Sequence, residues 1–233
     1  MGFMDGIRAR KAIMSHQKGH PEAAKPEYER LYESGFVSAA YMLPYAVILL
    51  REGGEENYLK VKEILKKAEK APDMRPDRRQ ELLMDYAVAQ YKLGETDKAL
   101  SLLEASHRKS PCGITYQALG FLYIEAGDKE KALSYNLEAL DYDDEDPVVL
   151  DNLGQTYYRL LGDKEKAKAY FDKAIEIKDN QIDTLYFLSR YDLDAGDKQA
   201  ALEKLREAAK GRFSPLNYAT KEMVEKEITA LEG

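Results

Sequence analysis

Small and large apolar residues alternate along this chain at helical spacing, and the pattern restarts at four glycines. Gly94, Gly127, Gly162 and Gly196 stand 33, 35 and 34 residues apart. Five residues after them come Ala99, Ala132, Ala167 and Ala201, and twelve after come Ser106, Ala139, Ala174 and Ala208. Seven before, or eight at Gly162, which carries a one-residue insertion, come Ala87, Gly120, Gly154 and Ser189. Each follows a large residue: Tyr86, Leu119, Leu153 and Leu188. If each glycine ends one helix and turns the chain into a second, the small side chains let the two helices approach, as ridges entering grooves require. The chain reads as an array of helical hairpins.

The text around the glycines, such as Gly127-Asp-Lys-Glu-Lys-Ala and Gly162-Asp-Lys-Glu-Lys-Ala, together with a period near 34, resembles the tetratricopeptide repeat. Extending the register finds Gly53, with Ala46 before it and Tyr58 where alanine is expected, and Gly19, with Ala12 and Ala24. The excess between Gly53 and Gly94 is expected in a lengthened second helix and in the connector Ala71-Pro-Asp-Met-Arg-Pro76. Pro26 and Pro44 fall inside predicted helices, where each removes a donor and is expected to kink or restart its helix. The resemblance implies an all-α, right-handed solenoid in a single domain, with repeats at 1–36, 37–76, 77–112, 113–146, 147–181 and 182–214 and a capping helix at 215–233.

Cap chemistry agrees. Asp128, Asp163 and Asp197 follow their glycines as N-caps, and Thr96 is expected to do the same after Gly94. Asp146-Pro147 and Ser214-Pro215 each place a cap before a proline at the first helical position. The segment Pro215 to Leu231, with Leu216, Met223, Ile228 and Leu231 on one apolar face, is expected to shield the last repeat.

Composition narrows the class. With 233 residues, 44% apolar, the chain can bury a continuous core, and no linker-like stretch divides it. It has no apolar run long enough for a membrane span and no signal-peptide layout at its start, so the expectation is a cytoplasmic protein with no membrane partner. Gly6 stands where a myristoylation signal needs Ser or Thr. Cys112 is alone, so no internal disulfide forms. A formal charge of −7 argues against nucleic acid, which calls for clustered cations. Arg75, Arg78 and Arg79 read as a solvated helix start.

Nothing supplies catalysis. The acidic run Asp141 to Asp146 fails as a calcium loop, because its sixth position is Asp146 rather than Gly and its twelfth is Asn152 rather than Glu. His16 and His20 are four apart, but Gly19 breaks the helix between them, so no metal site is expected. No nucleophile, base and orienting acid come together, and no phosphate loop follows a strand. The expectation is a non-enzyme without cofactor or metal.

In tetratricopeptide arrays the first helix of each hairpin lines a concave groove, and ligands meet fixed repeat positions. By that resemblance the groove of this chain is lined by Leu43, Val47 and Leu50, then Glu81, Met84, Val88, Tyr91 and Lys92, then Ile114, Gln117, Phe121 and Ile124. Asp151, Asn152, Gln155, Tyr158 and Arg159 follow, then Asp183, Tyr186, Arg190 and Leu193. Phe121, Tyr158 and Tyr186 stand out as rigid aromatic anchors. Asp151 and Asp183 favour a cation, and the carboxylate clamp of chaperone-tail binders is missing. The expected activity is a scaffold for a protein or peptide, mostly apolar with a polar or basic end. The alternatives are a self-associating structural subunit and, ranked last, a peptide-sensing regulator. Oligomeric state is left open.

Overall fold

The structure, a computed structural model, describes residues 3–233, with thirteen α-helices and no strand among them. The described chain forms two compact units, one up to Ser106 and the other His107–Gly233.

Unit 1 holds α1 (Phe3–Gln17), α2 (Pro21–Glu33), α3 (Ala39–Glu52), α4 (Glu55–Ala68), α5 (Pro76–Lys92) and most of α6 (Thr96–His107). The first two pairs pack as hairpins, α1 on α2 and α3 on α4, and α5 lies against both α3 and α4. Tyr28, Tyr41 and Tyr45 are buried together, with Tyr28 6.0 Å from Tyr41 and 6.1 Å from Tyr45 between ring centroids.

Four local expectations change in unit 1. Helices α2 and α3 run on through Pro26 and Pro44, so of the kink or restart expected at each proline the restart is overturned, and one missing donor in each is outweighed by the packing of the helix. The excess between Gly53 and Gly94 is not in α4, which has the same 14 residues as its counterparts α8 and α10 below. It sits in the connector and in α5, at 17 residues. Thr96 is the first residue of α6 rather than its cap.

Unit 2 holds α7 (Gly113–Ala126), α8 (Lys129–Tyr142), α9 (Pro147–Gln155), a π-helical segment Thr156–Leu161, α10 (Lys164–Ile177), α11 (Ile182–Asp194), α12 (Lys198–Ala209) and α13 (Lys221–Glu232). Ala132, Ala139, Ala167, Ala174, Ala201 and Ala208 are all 0% exposed, which is the close-contact role their spacing predicts. The two glycines of the same pattern are sterically required. A Cβ on Gly154 would lie 2.4 Å from the Phe171 ring, and one on Gly120 would lie 2.1 Å from Asn136 Oδ1. Phe171 and Asn136 are themselves buried, with no room to retreat.

The insertion before Gly162 has a direct structural counterpart. One surplus residue widens the last turn of the helix to π geometry, and the Asp163 amide donates to Tyr157 O over 3.0 Å. Gly162 then takes φ 72°, as Gly127 takes φ 77°, so both turns leave through the left-handed region and the register resumes. Asp128, Asp163 and Asp197 cap α8, α10 and α12 through the amides of Lys131, Lys166 and Ala200, and Asp146 caps α9.

The chain's last helix differs from expectation. Pro215 does not begin it. Residues 210–220 form a non-helical link, and Thr220 caps α13 by accepting from the Met223 amide. Val224 is buried, and Met223, Ile228 and Leu231 pack against the unit 2 core, whereas Leu216, expected on the same helical face, lies in the link before α13.

Candidate functional site

In unit 1 the first helices of successive hairpins surround a cavity of about 270 Å3. Ile13, Tyr28, Leu43 and Pro44 give it apolar lining, and His16, Gln17, Arg78 and Glu81 give it polar lining. The Tyr28 hydroxyl meets His16 Nδ1 at 3.4 Å. Asp73, from the connector, accepts from Ser38 Oγ at 2.8 Å and from the amides of Ala39 and Ala40 at 2.8 and 3.0 Å, so it caps α3 from across the unit. Burial pushes the Asp73 carboxyl up, but these donors outweigh it and hold the group below its usual range. The same carboxylate meets Arg78 Nη1 at 3.4 Å. Glu81 has no ion pair within 4 Å among the described residues; burial pushes its carboxyl up, and the nearby Arg78 charge only partly offsets this. Pro44 has no N–H, so the carbonyl of Ala40, another lining residue, loses its helical donor.

One turn beyond Glu81, Asp85 Oδ2 is closed off from solvent and has no hydrogen-bond partner among the described residues. Burial, and secondarily the charge of Glu81, pushes Asp85 up to about 8.

In unit 2 the predicted polar lining residues fall into three separately bonded groups. Asp151 Oδ1 accepts from Thr184 Oγ1 at 2.6 Å, and its Oδ2 accepts from Gln155 Nε2 at 2.7 Å. Gln155 Oε1 accepts from Arg159 Nη1 at 3.0 Å, and the same nitrogen pairs with Glu125 at 2.7 Å. Asp183 accepts from Asn217 Nδ2 at 3.1 Å and from the amides of Tyr218 and Ala219, both at 2.9 Å. Burial raises the pKa of both acids, and for Asp151 the charge of Asp183 adds to it. The Tyr186 hydroxyl donates to Glu227 Oε1 at 3.1 Å, and Arg190 pairs with the same carboxylate.

The structure therefore redistributes the predicted lining. Leu43 is buried but borders the cavity. Val88, Phe121, Ile124, Asp151, Asn152, Gln155, Asp183 and Tyr186 are interior, so they do not present open surface. Asp151 and Asp183, expected to attract a cation, are filled by the chain's own donors. Val47, Met84, Tyr91, Gln117, Tyr158 and Arg190 are half-buried. Gln117 is committed to Asp146 Oδ2 at 2.6 Å, and Asn152 Nδ2 to the Gln117 carbonyl at 2.9 Å. The repeat spacing did not reveal Asp73, His16, Tyr28, Tyr218 or Glu227. Of these, Tyr218 and Glu227 lie in a stretch that the Pro215 signal assigned wholly to a helix.

Residues 115–146 and 149–181 match the tetratricopeptide repeat model, which places the two matches on α7–α8 and on α9–α10. No curated protein matches the chain. Among solved structures, the fold is similar to that of TTC0263, a thermophilic tetratricopeptide protein of Thermus thermophilus, at TM-score 0.64 and 20% identity over 83% of this chain and 98% of that one. It is also similar to a chain of the APC/C hetero-tetramer Cut9–Hcn1, at TM-score 0.62 and 16% identity over 88% of this chain and 38% of that one. A third is YrrB, a tetratricopeptide protein described as having an unusual peptide-binding site, at TM-score 0.52 and 22% identity over 76% and 88% of the two chains. Helices α7 to α10 are thus two tetratricopeptide repeats, and the same order of helix, turn glycine and buried alanine continues around them in a fold similar to that of solved tetratricopeptide proteins.

Proposed function

We propose that the protein is a non-catalytic scaffold that binds a protein or peptide segment, and that the unit 1 cavity receives a basic side chain of that partner. The observation that carries this is Glu81, a carboxylate with no ion pair within 4 Å among the described residues, bordering a cavity of about 270 Å3 whose wall joins apolar Ile13, Tyr28, Leu43 and Pro44 to polar His16, Gln17 and Arg78. An aliphatic stem would bury against Ile13, Leu43 and Tyr28 while its cation meets Glu81. The net charge of −7 steers such a partner in the same direction. Similarity in fold to YrrB and to the Cut9 assembly supports the scaffold class.

The test is fluorescence anisotropy with ten-residue peptides that differ only in a central Lys, Arg, Gln or Glu. Lys or Arg peptides should bind best, and Glu81→Gln should weaken them about tenfold or more, the effect of one lost charge-assisted contact. Equal binding of the Glu peptide, or no effect of Glu81→Gln, overturns the assignment.

One observation favours the self-associating alternative. Helix α1 exposes Met4, Ile7 and Met14 at 60, 37 and 55%. A mass that rises with concentration in light scattering, and that Met4→Lys with Met14→Lys abolishes, would select that reading.

A further inference from the structure

The link between α12 and α13 is longer than a connection needs. Residues 210–220 take eleven positions where the links from α8 to α9 and from α10 to α11 take four each. The extra length lets Tyr218 reach more than the helix beside it. Its ring stacks on Phe187 of α11 at 5.1 Å and also lies 4.1 Å from the guanidinium carbon of Arg159, in the π-helical segment of the preceding hairpin. Arg159 is held there by Glu125 and Gln155, so it is preorganised for the ring rather than ordered by it. Meanwhile Asp183 takes the two successive main-chain amides of Tyr218 and Ala219.

These contacts have the form of segment recognition. A carboxylate that receives main-chain N–H groups holds any non-helical backbone whatever its sequence, and an aromatic slot under a cation selects one side chain from it. Tyr218 remains half-buried, and its slot is built from first-helix residues, Arg159 and Phe187, rather than from the second-helix side of the hairpins.

We infer that this part of unit 2 is a docking surface for a protein segment presenting Tyr or Phe from non-helical backbone, and that the chain fills it in cis with its own Tyr218. The inference deepens the scaffold reading for a second location, and it stands or falls separately from the unit 1 cavity. A tethered occupant competes at an effective concentration in the millimolar range, so a free segment making the same contacts binds the wild type weakly and gains affinity once the tethered copy is impaired.

The probe is a fluorescent peptide copying Arg212 to Lys221, titrated against the full chain and against the double variant Asn217→Gly with Tyr218→Ala. The double variant should bind it at least tenfold more tightly than the wild type, and a peptide with Ala in place of its Tyr should lose that gain. A double variant that melts cooperatively with wild-type helicity and gains nothing overturns the inference, as does equal binding of the Ala peptide. If the double variant does not fold, hydrogen exchange on the wild type decides. Amides of Tyr218 and Ala219 that exchange well before those of α11 and α12 show a displaceable occupant, whereas equally slow exchange shows a fixed part of the core.

Discussion

The Asp183 carboxylate and the Tyr218 amide are 35 positions apart in sequence and joined by a 2.9 Å hydrogen bond. The bond fixes the long non-helical link of unit 2 to the first turn of α11, with the neighbouring Ala219 amide bonded to the other carboxylate oxygen. An acid read from repeat spacing as ligand-facing is thus an internal cap for a segment of its own chain.

Removing that cap has a defined cost. Asp183→Ala leaves two main-chain amides in a largely buried setting without an acceptor and should destabilise the protein by about 1–3 kcal/mol. Asn217→Ala, which removes only a side-chain donor, should cost less. Urea unfolding of the full chain measures both. A change in Asp183→Ala below about 0.5 kcal/mol, the size of an ordinary surface substitution, would show that the link is not held by this carboxylate.

Gly154→Ala should be destabilising by about 1–3 kcal/mol, because the added methyl meets a rigid, fully buried ring. The ring of Phe171 is stacked on Phe187 at 5.1 Å and 7°, so it has no free side to swing toward. Gly113→Ala is the control. Nothing lies within 4 Å of a Cβ there, and its φ is not positive, so the substitution should be neutral or slightly stabilising. Equal melting midpoints for the two variants would contradict the packing described for α9 and α10.

The hairpins were legible because their signals are local. A turn glycine, an aspartate cap and an alanine five residues on act within one or two turns of backbone, and all three recur in the sequence. The candidate site was much less legible, because burial depends on neighbours more than thirty residues away. Asp151 is closed by Thr184, Asp183 by residues 217–219, and Ser38 at the start of α3 is served by Asp73. Repeat spacing says which way a residue points from its helix. It does not say whether another segment of the chain already occupies that direction. The Ser214-Pro215 signal failed for a related reason: Ser214 and Asn217 satisfy each other in a turn, with the Ser214 amide 2.6 Å from Asn217 Oδ1, before α13 can begin.

The π-helical segment gives a prediction about tolerance to deletion. Removing Leu161, which is exposed and lies in the surplus turn, should convert that turn to ordinary α geometry and preserve helicity and a cooperative melt. Removing Ala126 from α7, a helix without a surplus residue, should rotate the following turn out of register and lower the melting midpoint clearly further. Circular dichroism melts of the two deletions make the comparison. Equal losses would mean that the extra residue is structurally required rather than absorbed.

The last prediction concerns pH and rests on Asp85. Its folded pKa is pushed up to about 8 by burial first and by Glu81 second, whereas an unfolded aspartate titrates near 3.9. Between those two values the folded chain keeps a proton that the unfolded chain has released, so stability falls as pH rises through the window and is lowest above it. The slope contributed by one such group is at most about 1.4 kcal/mol per pH unit. Asp151 and Asp183 act in the same direction, since burial raises both. His107 acts in the opposite direction, because burial lowers its pKa and stability is then lost as pH falls below its unfolded value near 6.5. The wild type should therefore be more stable at pH 6.5 than at pH 8. Asp85→Asn removes the cost of the buried carboxyl, so it should raise the urea midpoint at pH 8, change it little at pH 5 and flatten the profile between. Paired urea titrations across that range read the effect directly, and a variant whose profile keeps the wild-type slope would show that Asp85 is ionised and solvated in the folded protein.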